Sequence, residues 1–242
     1  MTRRRWIADE VHGDTAVLTG EHASHLSRVL RAQIGQEFDI ATRDGVRLGR
    51  ITGISDDRVE FLLGDAVAAK PIAEITLALA IFKFDRMEWA IEKCTEIGVS
   101  RIVPVVARQS DARLASAALK RHERWQRIAR QAAEQSRRAS APEIAAPVKL
   151  KDFGKDGVSP PFAQGTSRIV LAETELNLYL RDALQSHHGE VVLAVGPEGG
   201  WTDDELRWFH ESGWTAASLG DTILRAETAA IVAAALALEA FR

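Results

Sequence analysis

A single cysteine, Cys94, occurs in the 242 residues, so neither an intramolecular disulfide nor a cysteine-rich zinc site can form, a usage that suits a reducing compartment. No apolar run reaches the roughly 20 residues of a membrane helix. The longest, AAIVAAALALEAF near the carboxyl terminus, is interrupted by Glu239 and preceded by Glu227, and reads as a buried helix. The first residues, MTRRRWIADE, place acids where a secretory leader has its apolar segment, so export is not expected and a cytoplasmic location is. A whole-chain basic excess is also missing: 31 Lys+Arg against 34 Asp+Glu give a net charge of -3. Gly 17 and Pro 7 are too few for a collagen-like or low-complexity chain. With 46% hydrophobic and 27% charged residues, what remains is a globular protein long enough for one large domain or two modest ones.

Several chemical signatures are absent too. There is no GxxxxGK[ST] phosphate loop, no GxGxxG opening an early strand–helix unit, no GxSxG elbow and no HExxH, so nucleotide hydrolysis and hydride transfer lose their usual support. His22 and His25 stand three apart without an accompanying carboxylate or cysteine cluster, and read as a surface or half-buried pair rather than metal ligands. His187-His188 precedes Gly189 at a helix end, where a cation suits the negative end of the dipole. No metal is expected.

What is present divides by pattern. From Thr15 to about Val67, short apolar stretches alternate with turns, and Asp44-Gly45 is the strongest hairpin signal. This half predicts a small β-barrel or sandwich with one short helix, His22 to Leu30, and the AAKPIA segment, Ala68 to Ala73, is the linker candidate. Beyond it the rhythm is strand then helix. Ile75 to Phe82 is a continuous apolar run; Arg86 to Ile97 repeats Met87, Ala90, Ile91, Cys94 and Ile97 at helical spacing, and Gly98 closes that helix. RIVPVV, a long helix from about Ser116 to Arg138, RIVLAE, a short helix near Leu178 to Gln185, EVVLAV, Thr202 to Ser212, TAASLG and a last helix from about Glu227 follow. That alternation predicts an α/β fold with a mostly parallel sheet covered on both faces.

Charge follows the same division. Arg101 to Arg138 carries ten Lys/Arg against three Asp/Glu, a local +7, whereas Leu171 to Arg242 carries four against twelve, a local -8. The basic band, with Arg108, Arg113, Arg130, Arg137 and Arg138, reads either as a solvated face or as a phosphate-contacting surface.

Two strand–loop–helix elements carry chemistry. AVGPEGGWTDDE contains a capping box, Thr202 with Glu205, which explains part of it structurally. Gly196-Pro197-Glu198-Gly199-Gly200 nevertheless places three glycines within five residues at the carboxyl end of a strand, where open α/β sheets bind ligands and missing side chains let a flat ligand approach the backbone. The second element, SLGDTILRAETAA, puts Arg225 at a helix amino terminus, where the dipole disfavours a cation. Either a salt bridge with Glu227 or Glu198 explains it, or a functional role does.

Together, GPEGG before a helix and LGxxILRxETA before the last helix resemble the SPOUT methyltransferases. Within that class HASHLSRVLRAQIGQ, MEWAIEKCTEIGVSRIVP, AAEQSRR and both elements above resemble, in order, the ribosomal RNA small subunit methyltransferase E family. The resemblance implies an amino-terminal PUA-like β-barrel that binds RNA, 1–70, and a SPOUT α/β domain with a deep trefoil knot, 71–242. It implies S-adenosylmethionine as cofactor, methylation of N3 of a uridine in 16S rRNA of the small ribosomal subunit, and an obligate homodimer with the active site at the interface.

By the same resemblance, Leu171, Ala172, Gly196, Pro197, Glu198, Gly199, Gly200, Leu219, Gly220, Ile223, Leu224 and Thr228 form the cofactor pocket. Arg225 and Glu227 are the catalytic candidates, with Thr228 beside them at the positions that face the methyl group and target base. Arg4, Arg5, Arg28, Arg31, Arg108, Arg113, Arg137 and Arg138 are the expected RNA contacts. Family members often carry arginine at the position of Thr222, threonine at that of Ala226 and proline at that of Glu173, departures that bear on substrate positioning rather than on the class. The alternatives are a SPOUT enzyme acting on another rRNA or tRNA site, and a non-catalytic RNA-binding protein.

Overall fold

The computed structural model describes residues 5–42, 45–67, 74–155, 165–185 and 189–241. Its contacts divide the chain into two units: Met1–Pro71 with Ala133–Ala141, and Ile72–Ala132 with Pro142–Arg242. The predicted linker, Ala68 to Ala73, lies outside the described residues, as do His187 and His188.

In the first unit β1 (Arg5–Ile7), β2 (Glu10–His12), β3 (Thr15–Thr19), β4 (Glu37–Thr42), β5 (Gly45–Ile54) and β6 (Arg58–Val67) form one sheet in the order β1-β4-β5-β6-β3-β2. β1 and β2 end that order and are joined by Ala8-Asp9, whose N–H groups donate to Ala41 C=O of β4 and Val17 C=O of β3. The hairpin that the Asp-Gly signal predicts is present between β4 and β5, but its register is one residue off that expectation: Gly45 opens β5 and pairs with Thr42, and Asp44 itself is not among the described residues. Alternation along β6 turns Val59, Phe61 and Leu63 inward onto Trp6, Leu18, Leu26, Ile40 and Ile51. The predicted helix at His22 to Leu30 begins earlier and changes its winding: α1 (Gly20–Ser24) runs into a π-helical turn, His25–Val29, with Leu30 N–H donating to His25 C=O.

The second unit is built on parallel strands. β7 (Ile75–Ala80), β8 (Arg101–Val106), β9 (Glu143–Ile144), β10 (Val148–Lys149), β11 (Ser167–Leu171), β12 (Val191–Val195) and β13 (Thr215–Ala217) are ordered β10-β8-β7-β12-β11-β13, with β9 also on β8. β7 and β12 are buried throughout because both faces are covered. Ile75, Leu77, Leu79, Val191, Leu193 and Val195 point to one helical layer: α2 (Phe84–Ile97), most of α3 (Ala112–Gln135), α4 (Leu180–Ala183) and α6 (Ala226–Ala240). Ala78, Val192 and Ala194 point to the other, where α5 (Asp203–Glu211) contributes Phe209. Cys94 lies fully buried in the first layer, and burial pushes its thiol up to about 12.

α3 starts four residues before the predicted Ser116. Asp111 Oδ1 accepts from the N–H groups of Arg113 at 2.7 Å and Leu114 at 3.2 Å, satisfying donors that a helix start leaves open. The helix also ends before Arg138. Arg137 adopts φ 59°, and Arg138 N–H returns to Ala133 C=O at 2.8 Å, a left-handed C-terminal closure. This end, Ala133–Ala141, belongs with the first unit, where Glu134 meets His22 Nε2 at 3.2 Å.

Candidate cofactor and active site

Connections reverse direction within the second sheet: from β11 the chain passes to β12 on one side, and from β12 it returns across β11 to β13 on the other. Carboxyl ends of strands at such a switch leave a crevice that adjacent loops enclose. Here a cleft of about 230 Å³ opens between the ends of β11, β12 and β13, lined by Leu171, Ala172, Gly196, Pro197, Gly200 and the whole of Leu219–Leu224.

The Gly196–Gly200 turn is dictated by close approach. A Cβ on Gly199 would collide with the Gln109 side chain, and one on Gly196 would press against the Trp201 ring at 3.2 Å. Trp201 is held by its Nε1–H donating to Leu171 C=O at 3.1 Å, which ties the turn to β11. The turn then passes into α5, where Thr202 accepts from Glu205 N–H while Glu205 Oε2 accepts from Thr202 N–H at 2.9 Å. Glu205 Oε1 also accepts from Arg108 N–H at 2.7 Å, so the capping carboxylate fixes the loop after β8 as well.

The opposite wall is unusual in its backbone. After Ser218 N–H bonds Leu178 C=O, no peptide group from Leu219 to Leu224 enters a backbone hydrogen bond among the described residues, and the next acceptor along the chain is Arg225 C=O. Gly220 turns at φ +138°, a conformation only glycine adopts without strain. Backbone donors and acceptors left open beside an apolar crevice fit a flat ligand that hydrogen-bonds at its edge and stacks on its faces. The adenosyl part of S-adenosylmethionine has that chemistry, and Leu219, Ile223 and Leu224 line the crevice with apolar side chains.

The catalytic candidates are arranged differently from the sequence expectation. Arg225 is the N-cap residue of α6 and is exposed, while Glu227 in the first turn is only 4% exposed. Neither acid proposed to pair with Arg225 does so. Arg86, in the first turn of α2, takes both: its Nη1 meets Glu198 Oε1 at 2.6 Å and its Nε stands 3.8 Å from Glu227 Oε1. Glu227 Oε2 is buried without a hydrogen-bond partner. Arg225 is therefore left for another partner. Arg86 was missed by sequence reasoning, since nothing local marks a residue whose partners lie more than a hundred positions away. Thr228 is half-buried on the next position of α6.

The expected RNA contacts separate by burial. Arg28, Arg31 and Arg137 in the first unit and Arg108 and Arg113 in the second are exposed; Arg4 lies outside the described residues. Arg5 is turned inward, its side chain 14% exposed, 3.7 Å from Asp39 and donating to Arg137 C=O. Arg138 is half-buried, and desolvation pushes its guanidinium down to about 10. Both are committed to the first unit's packing. Among the described residues no group of three metal-ligating side chains occurs, and no helix is long and apolar enough to cross a membrane.

Comparison with known proteins places this geometry. Residues 68–238 match the family model of the RNA methyltransferase domain, and 18–63 that of the RNA methyltransferase PUA domain. The chain is 33% identical to ribosomal RNA small subunit methyltransferase E of Synechocystis over 91% of this chain and 72% of the relative, and 34% identical to that of Mycobacterium bovis over 91% and 85%. Among solved structures it resembles ribosomal RNA small subunit methyltransferase E of Neisseria gonorrhoeae bound to S-adenosyl methionine, with TM-score 0.82 and 28% identity over 96% of this chain and 95% of that one. A Legionella pneumophila methyltransferase in complex with its bound cofactor SAM gives TM-score 0.83 and 27% identity over 100% and 98%. The chain belongs to the ribosomal RNA small subunit methyltransferase E family.

Proposed function

We propose that the chain transfers the methyl group of S-adenosylmethionine to N3 of a uridine in 16S rRNA. The observation that carries this reading is the cleft at the strand switch, with its glycine turn and the open backbone of Leu219–Leu224, in a chain of this family. When bound there, the cofactor supplies an electrophilic methyl on a sulfonium. The chain's own residues handle the acceptor. Uracil N3–H has no free in-plane lone pair, so its proton leaves before or during attack, and negative charge develops on the ring oxygens. Arg225, exposed and unengaged by Glu198 or Glu227, is the group that stabilises that charge. Glu227 accepts the proton directly or through water, and its unpartnered Oε2 supports the assignment. The target base is drawn from its stack to reach the site.

In this reading residues 1–70 grip RNA and 71–242 carry the knotted catalytic fold. Arg28, Arg31, Arg108, Arg113 and Arg137 contact phosphate, the enzyme is cytoplasmic, and a second copy of the chain completes the site. Ile223 and Leu176, 82% and 81% exposed on the cleft wall, support that last point as apolar surface beside the site. The test is transfer of labelled methyl from S-adenosylmethionine to purified small subunits and to tRNA. Label at uridine N3 of 16S rRNA, greatly reduced by Arg225→Ala, is expected. Label in tRNA or on ribose would move the substrate, and absence of cofactor binding by calorimetry would favour an RNA-binding protein without catalysis.

A further inference from the structure

The cleft's charge is one-sided. Among the described residues, four carboxylates line it, Glu173, Glu175, Glu198 and Asp221, and no lysine, arginine or histidine does. Three of the four are engaged. Glu175 Oε1 accepts from the N–H groups of Asn177 at 2.8 Å and Leu178 at 3.1 Å; Glu198 pairs with Arg86; Asp221 accepts from the Tyr179 hydroxyl at 3.1 Å. Glu173 has no such partner among the described residues. Its Oε1 lies over Gly200, 3.4 Å from where a Cβ would stand, so the carboxylate rests against the glycine turn that forms the cleft wall.

An apolar cleft of this size weakens screening, and unbalanced negative charge within it favours a cation over a neutral molecule of the same shape. Methyl transfer makes that distinction chemically: the sulfonium carbon–sulfur bond breaks with both electrons going to sulfur, the methyl forms a bond to nitrogen, and the nitrogen's proton leaves. S-adenosylmethionine therefore carries one positive charge more than S-adenosylhomocysteine.

We propose that Glu173 is a specificity-determining residue that makes the cleft prefer the cationic cofactor to its neutral-sulfur product, so that transfer itself loosens the product. This rests on the cofactor reading above. Because Glu173 is exposed, its substitution leaves the core untouched. The test is calorimetric titration of the full-length protein with S-adenosylmethionine and with S-adenosylhomocysteine, for wild type and Glu173→Gln. Glu173→Gln should weaken S-adenosylmethionine about three- to tenfold and S-adenosylhomocysteine less than about twofold, a partly screened single-charge effect that shrinks in high salt. If wild type binds both ligands and the substitution weakens them equally, or neither, this proposal fails alone. If wild type binds neither, the cofactor reading fails and takes this proposal with it.

Discussion

Replacing Arg86 with alanine removes the cation between Glu198 and Glu227. Breaking a fully buried ion pair by removing one partner costs about 3–5 kcal/mol, because the remaining charge stays desolvated. Here Glu227 is buried, but the Arg86 and Glu198 side chains are 30% and 39% exposed, so water relieves part of that cost. A loss of about 2 kcal/mol follows. In a unit of this size it lowers Tm by roughly 4–8 °C. Thermal and urea melts of wild type, Arg86→Ala, Glu227→Gln and the double variant form the cycle. The double variant should recover at least half of the Arg86→Ala loss, since no unpaired buried charge remains. If Arg86→Ala costs less than about 0.5 kcal/mol, or the two substitutions simply add, Arg86 does not hold Glu227 and the charge reasoning is wrong.

Other expectations follow from burial and capping. Cys94 should label with a thiol reagent at pH 8 roughly a thousandfold more slowly in the native protein than in urea, because its thiol is pushed up to about 12. The folded state then binds one proton more than the unfolded chain above the ordinary thiol range, so this group's contribution to stability falls as pH rises from about 9 toward 12, as melts at graded pH would show. Thr202→Ala should cost about 1 kcal/mol in a urea melt by removing half of the capping box, with Thr202→Asp restoring most of it. Arg31→Ala and Arg113→Ala should lower RNA affinity and reduce the salt slope by nearly one for each phosphate no longer neutralised, whereas Arg5→Ala should show mainly as a lower melting temperature.

Much of the second unit is legible from runs and spacing. β7 and β12 read as continuous apolar strands because helices cover both faces, and α2 reads from its buried repeat, Met87, Ala90, Ile91 and Cys94. The cleft's two loops are also legible, since both are local: in the first, glycine, proline and a capping box stand within a few residues of each other, and in the second Gly220 stands between a short apolar strand and the last helix. The start of α3 has a readable signal in Asp111, but the apolar pattern begins later and draws the predicted boundary after it. Other features depend on long-range packing. Charge counting along the chain cannot separate Arg5 and Arg138, folded inward, from exposed Arg28 and Arg31. Nor can it tell that Glu198 and Glu227 turn to Arg86 on α2 instead of nearby Arg225, because that choice is made where α2 and α6 pack together. The π-helical turn at His25–Val29 leaves no mark in composition either.

Methyl transfer to uridine N3 is tested most directly by nucleoside mass spectrometry of 16S rRNA from cells lacking this chain, complemented with wild type or with Arg225→Ala. N3-methyluridine should be absent without the chain, restored by wild type and restored little or not at all by Arg225→Ala. Unchanged N3-methyluridine in the deletion, or full restoration by Arg225→Ala, would contradict that assignment.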